Sequence, residues 1–166
     1  MDKICCFSGH REGAFDEACF QKALDDALKQ AIDAGYTTFY GGVAIGFDII
    51  AAEAVLRLKI KENLALKLVS VVPFRGQDAN WSEPWKQRHD AILRASSKII
   101  LLNQHYVKGC YHERNRFMVD NASLLICYFS GKKGGTKHTV ECAQKKNLKI
   151  VNLLGEFKDD KQIRLF

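Results

Sequence analysis

The chain has 166 residues, of which 47% are hydrophobic and 27% charged. Those proportions exclude a disordered or low-complexity chain and predict one domain with a core of its own. Lys and Arg outnumber Asp and Glu by 25 to 19, a net +6 that favours anionic partners without separating nucleic acid from nucleotide.

In chain order, residues 4–7 form a short apolar run closed by Ser8-Gly9-His10-Arg11, which predicts a buried strand ending in a turn. From Asp16 the period changes. Phe20, Leu24, Leu28 and Ile32 recur every fourth residue, Asp25 stands four before Lys29, and Gly35 supplies a stop, so a helix is expected. Residues 37–40 read as a strand broken by Gly41-Gly42, and Asp48 is placed to cap a second helix reaching about Glu62. Residues 66–72 predict a strand closed by Pro73, and Ser82 a cap for a helix through Arg94. A strand over 98–102, a helix over 113–121, a strand over 124–129, a helix over 136–146 and a strand over 148–154 complete the series. This alternation predicts an α/β, Rossmann-like domain, a mainly parallel sheet with helices on both faces.

Ligands in such sheets bind at the carboxyl ends of the strands, so the strand-to-helix loops are the place to look. Four stand out: Ser8 to Arg11; Gly41-Gly42 through Gly46-Phe47-Asp48; Pro73-Phe74; and Gly131 with Gly134-Gly135-Thr136. Glycines admit a ligand close to backbone N–H groups, and a helix start behind them favours phosphate. Neither GxGxxG nor the phosphate loop GxxxxGK[ST] is present, and Gly-Gly pairs also mark ordinary turns. Arg11 is suited to clamp phosphate with Ser8 and His10 beside it, and Asp48 to a ribose hydroxyl or to a plain helix cap. Trp81 and Trp85, like Phe74, suit either base stacking or core packing.

The segment from Tyr111 to Asp120 is strongly polar, yet Phe117-Met118-Val119 within it needs burial and would hold Arg114 and Arg116 near the rim. Six cysteines without CxxC spacing read as buried free thiols of a reducing compartment. Five histidines without ligand spacing argue against a metal, and GxSxG is absent. Lys and Arg runs at 57–61 and 145–146 fall where helix C-termini are expected. Without a signal peptide or a membrane-length apolar run, a cytoplasmic protein away from membranes is expected.

With these pieces assembled the chain resembles the YpsA-like family of the SLOG superfamily, relatives of DNA-processing protein A and of the Lonely Guy phosphoribohydrolases. The matching stretches are SGHR at 8–11, GGVAIGFDIIAAE at 41–53, VVPFRGQDANW at 71–81, RNRFMVDNAS at 114–123 and GKKGGT at 131–136. The resemblance implies a Rossmann-like fold binding a nucleotide or nucleotide-derived ligand of the NAD or ADP-ribose class, sensed or hydrolysed. Arg11 and the glycine loops would then hold phosphates and Asp48 or Asp120 the ribose; no other cofactor is implied. Set against the Lonely Guy pattern, His112-Glu113-Arg114-Asn115 resembles the arginine motif. Glu141, however, lies five residues past Thr136 instead of three, which turns it by about 200° on a helix. A hydrolase would therefore use Arg114 with Glu141 or Glu53. Nucleic-acid binding is the third expectation, and a homo-oligomer is compatible with the layered fold.

Overall fold

The computed structural model describes residues 3–155. Six strands alternate with five helices: β1 (Ile4–Gly9), α1 (Ala18–Asp33), β2 (Thr38–Gly41), α2 (Phe47–Lys61), β3 (Lys67–Val72), α3 (Glu83–Ala95), β4 (Lys98–Leu101), α4 (Cys110–Asp120), β5 (Leu124–Tyr128), α5 (Gly135–Lys145) and β6 (Lys149–Asn152). All strand pairs are parallel and the sheet order is β4-β3-β2-β1-β5-β6. This is the α/β Rossmann-like architecture the alternation predicts. The progression away from β1 reverses between β1 and β5, whose register pairs Gly9 with Tyr128 at the carboxyl end. That reversal opens a crevice there.

The two faces of the sheet carry separate cores, because side chains alternate along each strand. Phe7, Phe39, Leu68, Leu124 and Ile126 face α1, α2 and Ile92 of α3. Cys6, Val69, Val71, Leu125 and Cys127 face Met118 and Val119 of α4 with Val140 and Ala143 of α5. β1 and β5 are covered on both sides, which is why they read as unbroken apolar runs.

Several local expectations are corrected. α4 begins at Cys110, a turn before the expected start at residue 113, because Gly109 in the left-handed region (φ 83°) turns the chain into the helix. Asp25 pairs with Arg57 of α2 at 3.0 Å, and Lys29 with Glu62 at 3.8 Å, so these charges link α1 to α2 instead of pairing along α1. α2 starts from Gly46, with φ 93°, and Asp48 lies inside its first turn without capping it. Ser82 occupies the N-cap position of α3 but makes no side-chain cap. Lys59, Lys61 and Lys145 do fall in the last turns of their helices.

All six cysteines are free, but Cys19 is exposed and Cys142 half-buried. Burial holds the Cys5 and Cys127 thiols well above their ordinary range and pushes Cys6 up to about 12. These three are packing groups without thiolate chemistry. Trp81 and Trp85 pack against the α1–α3 core, with Trp81 edge-on to His89 and the Arg88 guanidinium 4.5 Å from the Trp85 ring.

Candidate functional site

A cleft of about 640 Å³ opens at the carboxyl ends of the strands, across the β1–β5 crevice. Ser8, Gly9, His10 and Arg11 form one wall from the β1 loop, and Lys133, Gly134, Gly135 and Thr136 another from the β5 loop and the start of α5. Ala44, Ile45 and Asp48 supply the floor, and Arg114 and Asn115 of α4 close it beneath. The remaining wall comes from Tyr106, Gly109, Tyr111 and His112.

Each loop is shaped by its own residues. A Cβ on Gly9 would meet the Phe47 ring at 2.4 Å, so α2 packs against β1 only because residue 9 has no side chain. Gly46 is equally constrained: its φ is 93°, and a Cβ would lie 2.3 Å from the Arg11 carbonyl oxygen. Phe47 N–H donates to the His10 carbonyl at 3.2 Å, which joins the first two loops. His10 in turn bridges the crevice. Its Nε2 accepts the Ser130 N–H at 2.9 Å, and partial burial followed by nearby Lys132 lowers its pKa.

The floor holds two buried, opposed charges. Arg114 is only 4% exposed; its Nη1 donates to the Gly42 carbonyl at 2.6 Å and its Nε to Asn115 Oδ1 at 2.7 Å. A Cβ on Gly42 would fall 2.7 Å from this guanidinium, so that glycine makes room for the arginine. Asp48 is 7% exposed, and its Oδ1 is fully buried without a hydrogen-bond partner. Burial raises its pKa to about 6, against the opposing pull of Arg114, the Ala44 N–H and Arg11. Burial likewise lowers the pKa of Arg114, with Asp48 opposing.

Three helices begin at this cleft: α2 after Gly46, α4 after Gly109 and α5 after Gly134, none of them with a side-chain cap. Their first-turn N–H groups and dipoles bring partial positive charge to one space, alongside Arg11, Lys133 and Arg114. Such an arrangement suits an anion with hydroxyls to donate to Asp48.

Of the expected site residues, Ser8, Gly9, His10, Arg11, Asp48, Arg114, Gly134, Gly135 and Thr136 are brought together. Gly41, Gly42, Gly46 and Gly131 shape the loops behind the lining. Phe47 is fully buried and stacked 6.1 Å from Tyr128, so its ring belongs to the core. Pro73 and Phe74 stand behind the cleft: the Pro73 carbonyl accepts from Asn103 Nδ2 at 2.9 Å, and the Arg75 N–H donates to the Asn103 carbonyl at 3.1 Å. The β3 loop thus braces the β4 loop, which is the one that lines the cleft.

Three acidic expectations are corrected in position. Asp120 ends α4 at the opposite end of the helix from the cleft and pairs with Lys146. Glu53 is held by Arg88, whose Nε donates to it at 3.0 Å, and lines a separate cleft of about 230 Å³. Glu141 lies more than one turn into α5 and does not line the main cleft. Among the described residues Asp48 is the carboxylate that does.

Tyr106, Gly109 and Tyr111 carried no assignment in the sequence. The signal for them was Gly109, a strand-to-helix glycine like those of the other loops. Asp78, His89 and Asp90, distant from any metal-ligand spacing, place ligand atoms within 4.8 Å of one another. His89 is buried there, with Nδ1 3.2 Å from Asp90 Oδ1 and Nε2 3.2 Å from Gln77 Nε2.

Fold and cleft together define a Rossmann-like α/β protein with an open cleft at a topological switch point. The model of the YspA SLOG family (YpsA) matches residues 5–153, and the chain belongs to that family. It is 30% identical over 155 residues to the UPF0398 protein YpsA of Bacillus subtilis (strain 168), covering 87% of this chain and 86% of that one. Its fold is similar to that of DNA processing protein A from Helicobacter pylori, described by its single-stranded DNA binding mode. That likeness has TM-score 0.65 and 18% identity, over 95% of this chain and 67% of the other. DNA processing protein A from Streptococcus pneumoniae matches with the same TM-score and identity, over 96% of this chain and 54% of the other. At such identities these solved structures speak to the fold.

Proposed function

We propose that this chain binds a nucleotide or nucleotide-derived ligand, of the NAD or ADP-ribose class, in the cleft between the β1 and β5 loops. The observation that carries this reading is the convergence of three uncapped helix N-termini with Arg11, Lys133 and Arg114 on one cleft, where Asp48 is the lining carboxylate among the described residues. Uncapped helix starts and cations favour phosphate, and the Asp48 carboxylate on the same floor is the acceptor for a ribose hydroxyl. Phosphates then take the N-terminus of α5 with Lys133 and Arg11, while Arg114 holds the Gly42 turn and balances Asp48. The direct test is mass spectrometry of small molecules that co-purify with the native protein. A phosphorylated nucleoside derivative in stoichiometric amount supports the reading. A protein that arrives empty and shows no calorimetric response to NAD, ADP-ribose or AMP removes it.

A hydrolytic reading rests on the same floor. N-glycosidic cleavage needs a carboxylate beside the sugar. Asp48, with its raised pKa and with Arg114 near it, meets that need from inside the cleft, where Glu141 and Glu53 do not. Incubation with NAD, ADP-ribose and AMP followed by chromatography separates the two: release of free base makes the protein an enzyme, and intact ligand leaves it a binding module.

A further inference from the structure

The cleft has one wall unlike the rest. Tyr106, in the loop after β4, is 61% exposed, and Tyr111, in the first turn of α4, is 39% exposed; both line the cleft, with Gly109 between them. Phe74 supports the two rings edgewise from behind, with centroids 5.5 Å from Tyr106 at 85° and 5.9 Å from Tyr111 at 79°. The support leaves ring surface open on the cleft side. Gly109 adds no side chain, and a Cβ there would have no atom within 4 Å, so the space beside the tyrosines is clear.

Scattered exposed aromatics are ordinary on a protein surface. This pair differs because the loop that carries it is held in place. Arg75 Nε donates to Gln104 Oε1 at 3.1 Å, and Asn103 Nδ2 donates both to the Pro73 carbonyl and to Glu113 Oε1 at 2.9 Å. Tyr111 is fixed by the helix that carries it and has the Arg114 guanidinium 5.9 Å from its ring centre. Two aromatic rings thus stand ready on one side of the cleft. The same cleft is lined by Lys133 and the Gly134-Gly135 start of α5, cationic and rich in backbone donors, and by Asp48, so its aromatic and its cationic linings come from different elements.

From this division we infer that Tyr106 and Tyr111 form a stacking wall for a planar nucleobase, which orients the ligand with its base on the α4 side and its phosphates on the α5 side. The inference rests on the nucleotide reading of the cleft and narrows it: the ligand must carry a base as well as a sugar phosphate. Stacking uses the π-face that every base shares, so the wall selects for the presence of a base more than for its identity.

The test is calorimetric titration of the full chain with AMP and with ribose 5-phosphate, which keeps sugar and phosphate and lacks the base. Wild type is expected to bind AMP more tightly. Tyr106→Ala and Tyr111→Ala should each weaken AMP by about 5- to 150-fold, the range spanned by base–aromatic stacking. Both variants should hold ribose 5-phosphate to within about twofold of wild type. Tyr106→Phe keeps the ring and should keep AMP affinity, and Tyr106 is exposed enough for these changes to leave folding intact, as circular dichroism would verify. Equal weakening of AMP and ribose 5-phosphate would overturn the stacking wall, since the tyrosines would then only shape the cleft. Unchanged AMP affinity in both alanine variants would overturn it as well. Wild type binding AMP and ribose 5-phosphate equally sinks the wall and leaves the sugar-phosphate site standing; wild type binding neither of them but binding NAD or ADP-ribose sinks the wall alone, and wild type binding none of the four sinks both readings.

Discussion

Asp48 has a buried carboxylate whose pKa in the folded chain, about 6, exceeds the ordinary value of 3.8. It therefore binds its proton more tightly folded than unfolded. Its contribution favours the folded chain at low pH and is lost as pH rises from about 4 through about 6, a swing of about 3 kcal/mol at 1.36 kcal/mol per unit. Asp48→Asn removes that titration. Urea denaturation should show the variant gaining about 3 kcal/mol relative to wild type between about pH 3 and about pH 8, and a flat difference across this range would contradict the buried, ionising carboxylate. Arg11 is the opposite case, an exposed loop side chain on the cleft wall. Arg11→Ala should change stability by no more than about 0.5 kcal/mol while weakening AMP or ADP-ribose by roughly tenfold or more, as loss of a charge-assisted phosphate contact would. Calorimetry and thermal melting separate the two effects, and unchanged affinity would count against a phosphate at this wall. Both residues stand out in the sequence as charges beside glycines. The missing partner of Asp48 Oδ1 does not, because burial depends on neighbours from α4 and β1 that lie far away in the chain.

At the scale of the elements, α2 packs hard against the β1 turn at the edge of the cleft. Gly9 and Gly46 permit that contact from the two sides, with a Cβ on Gly9 reaching Phe47 at 2.4 Å and one on Gly46 reaching the Arg11 carbonyl at 2.3 Å. Gly9→Ala should destabilise the protein by about 1–3 kcal/mol, the usual range for overpacking. Gly46→Ala should cost more, because its added Cβ meets backbone, which cannot rotate aside, and its φ of 93° is also unfavourable for alanine. Chemical denaturation of both variants checks the order; a smaller loss for Gly46→Ala would mean that α2 shifts away from β1 freely. The helix and strand order was legible in the apolar periodicity, since each element buries its own face. The start of α4 was not: it is fixed by the left-handed turn at Gly109, which only the chain path from β4 requires. With the helix expected from residue 113, Tyr111 lay outside it, and it is the β4 loop, not the β3 loop, that lines the cleft.

For the whole molecule, the +6 charge invites a comparison between nucleotide and nucleic acid. The two differ in salt dependence, because each phosphate contact on a single strand releases about 0.7 counterion. A nucleotide bound in the cleft should show a shallow slope of log affinity against log salt, about −1 to −2 for a mono- or diphosphate, and single-stranded DNA should bind no tighter than about millimolar at physiological salt. A slope of roughly −4 or steeper with an oligonucleotide would move the function to nucleic acid. Among the described residues no helix is long and apolar enough to cross a membrane. By itself the sequence determined the layered α/β fold, the strand-end loops and the family motifs, because periodicity and turn chemistry are local properties of consecutive residues. Only the tertiary structure decided which charges meet. It set Asp48 beside Arg114 on the cleft floor, gave Glu53 to Arg88 and Asp120 to Lys146, and brought two tyrosines to the cleft that the start of α5 also lines. Those pairings follow from the reversal of strand order between β1 and β5, which brings the β1, β2, β4 and β5 loops around one opening.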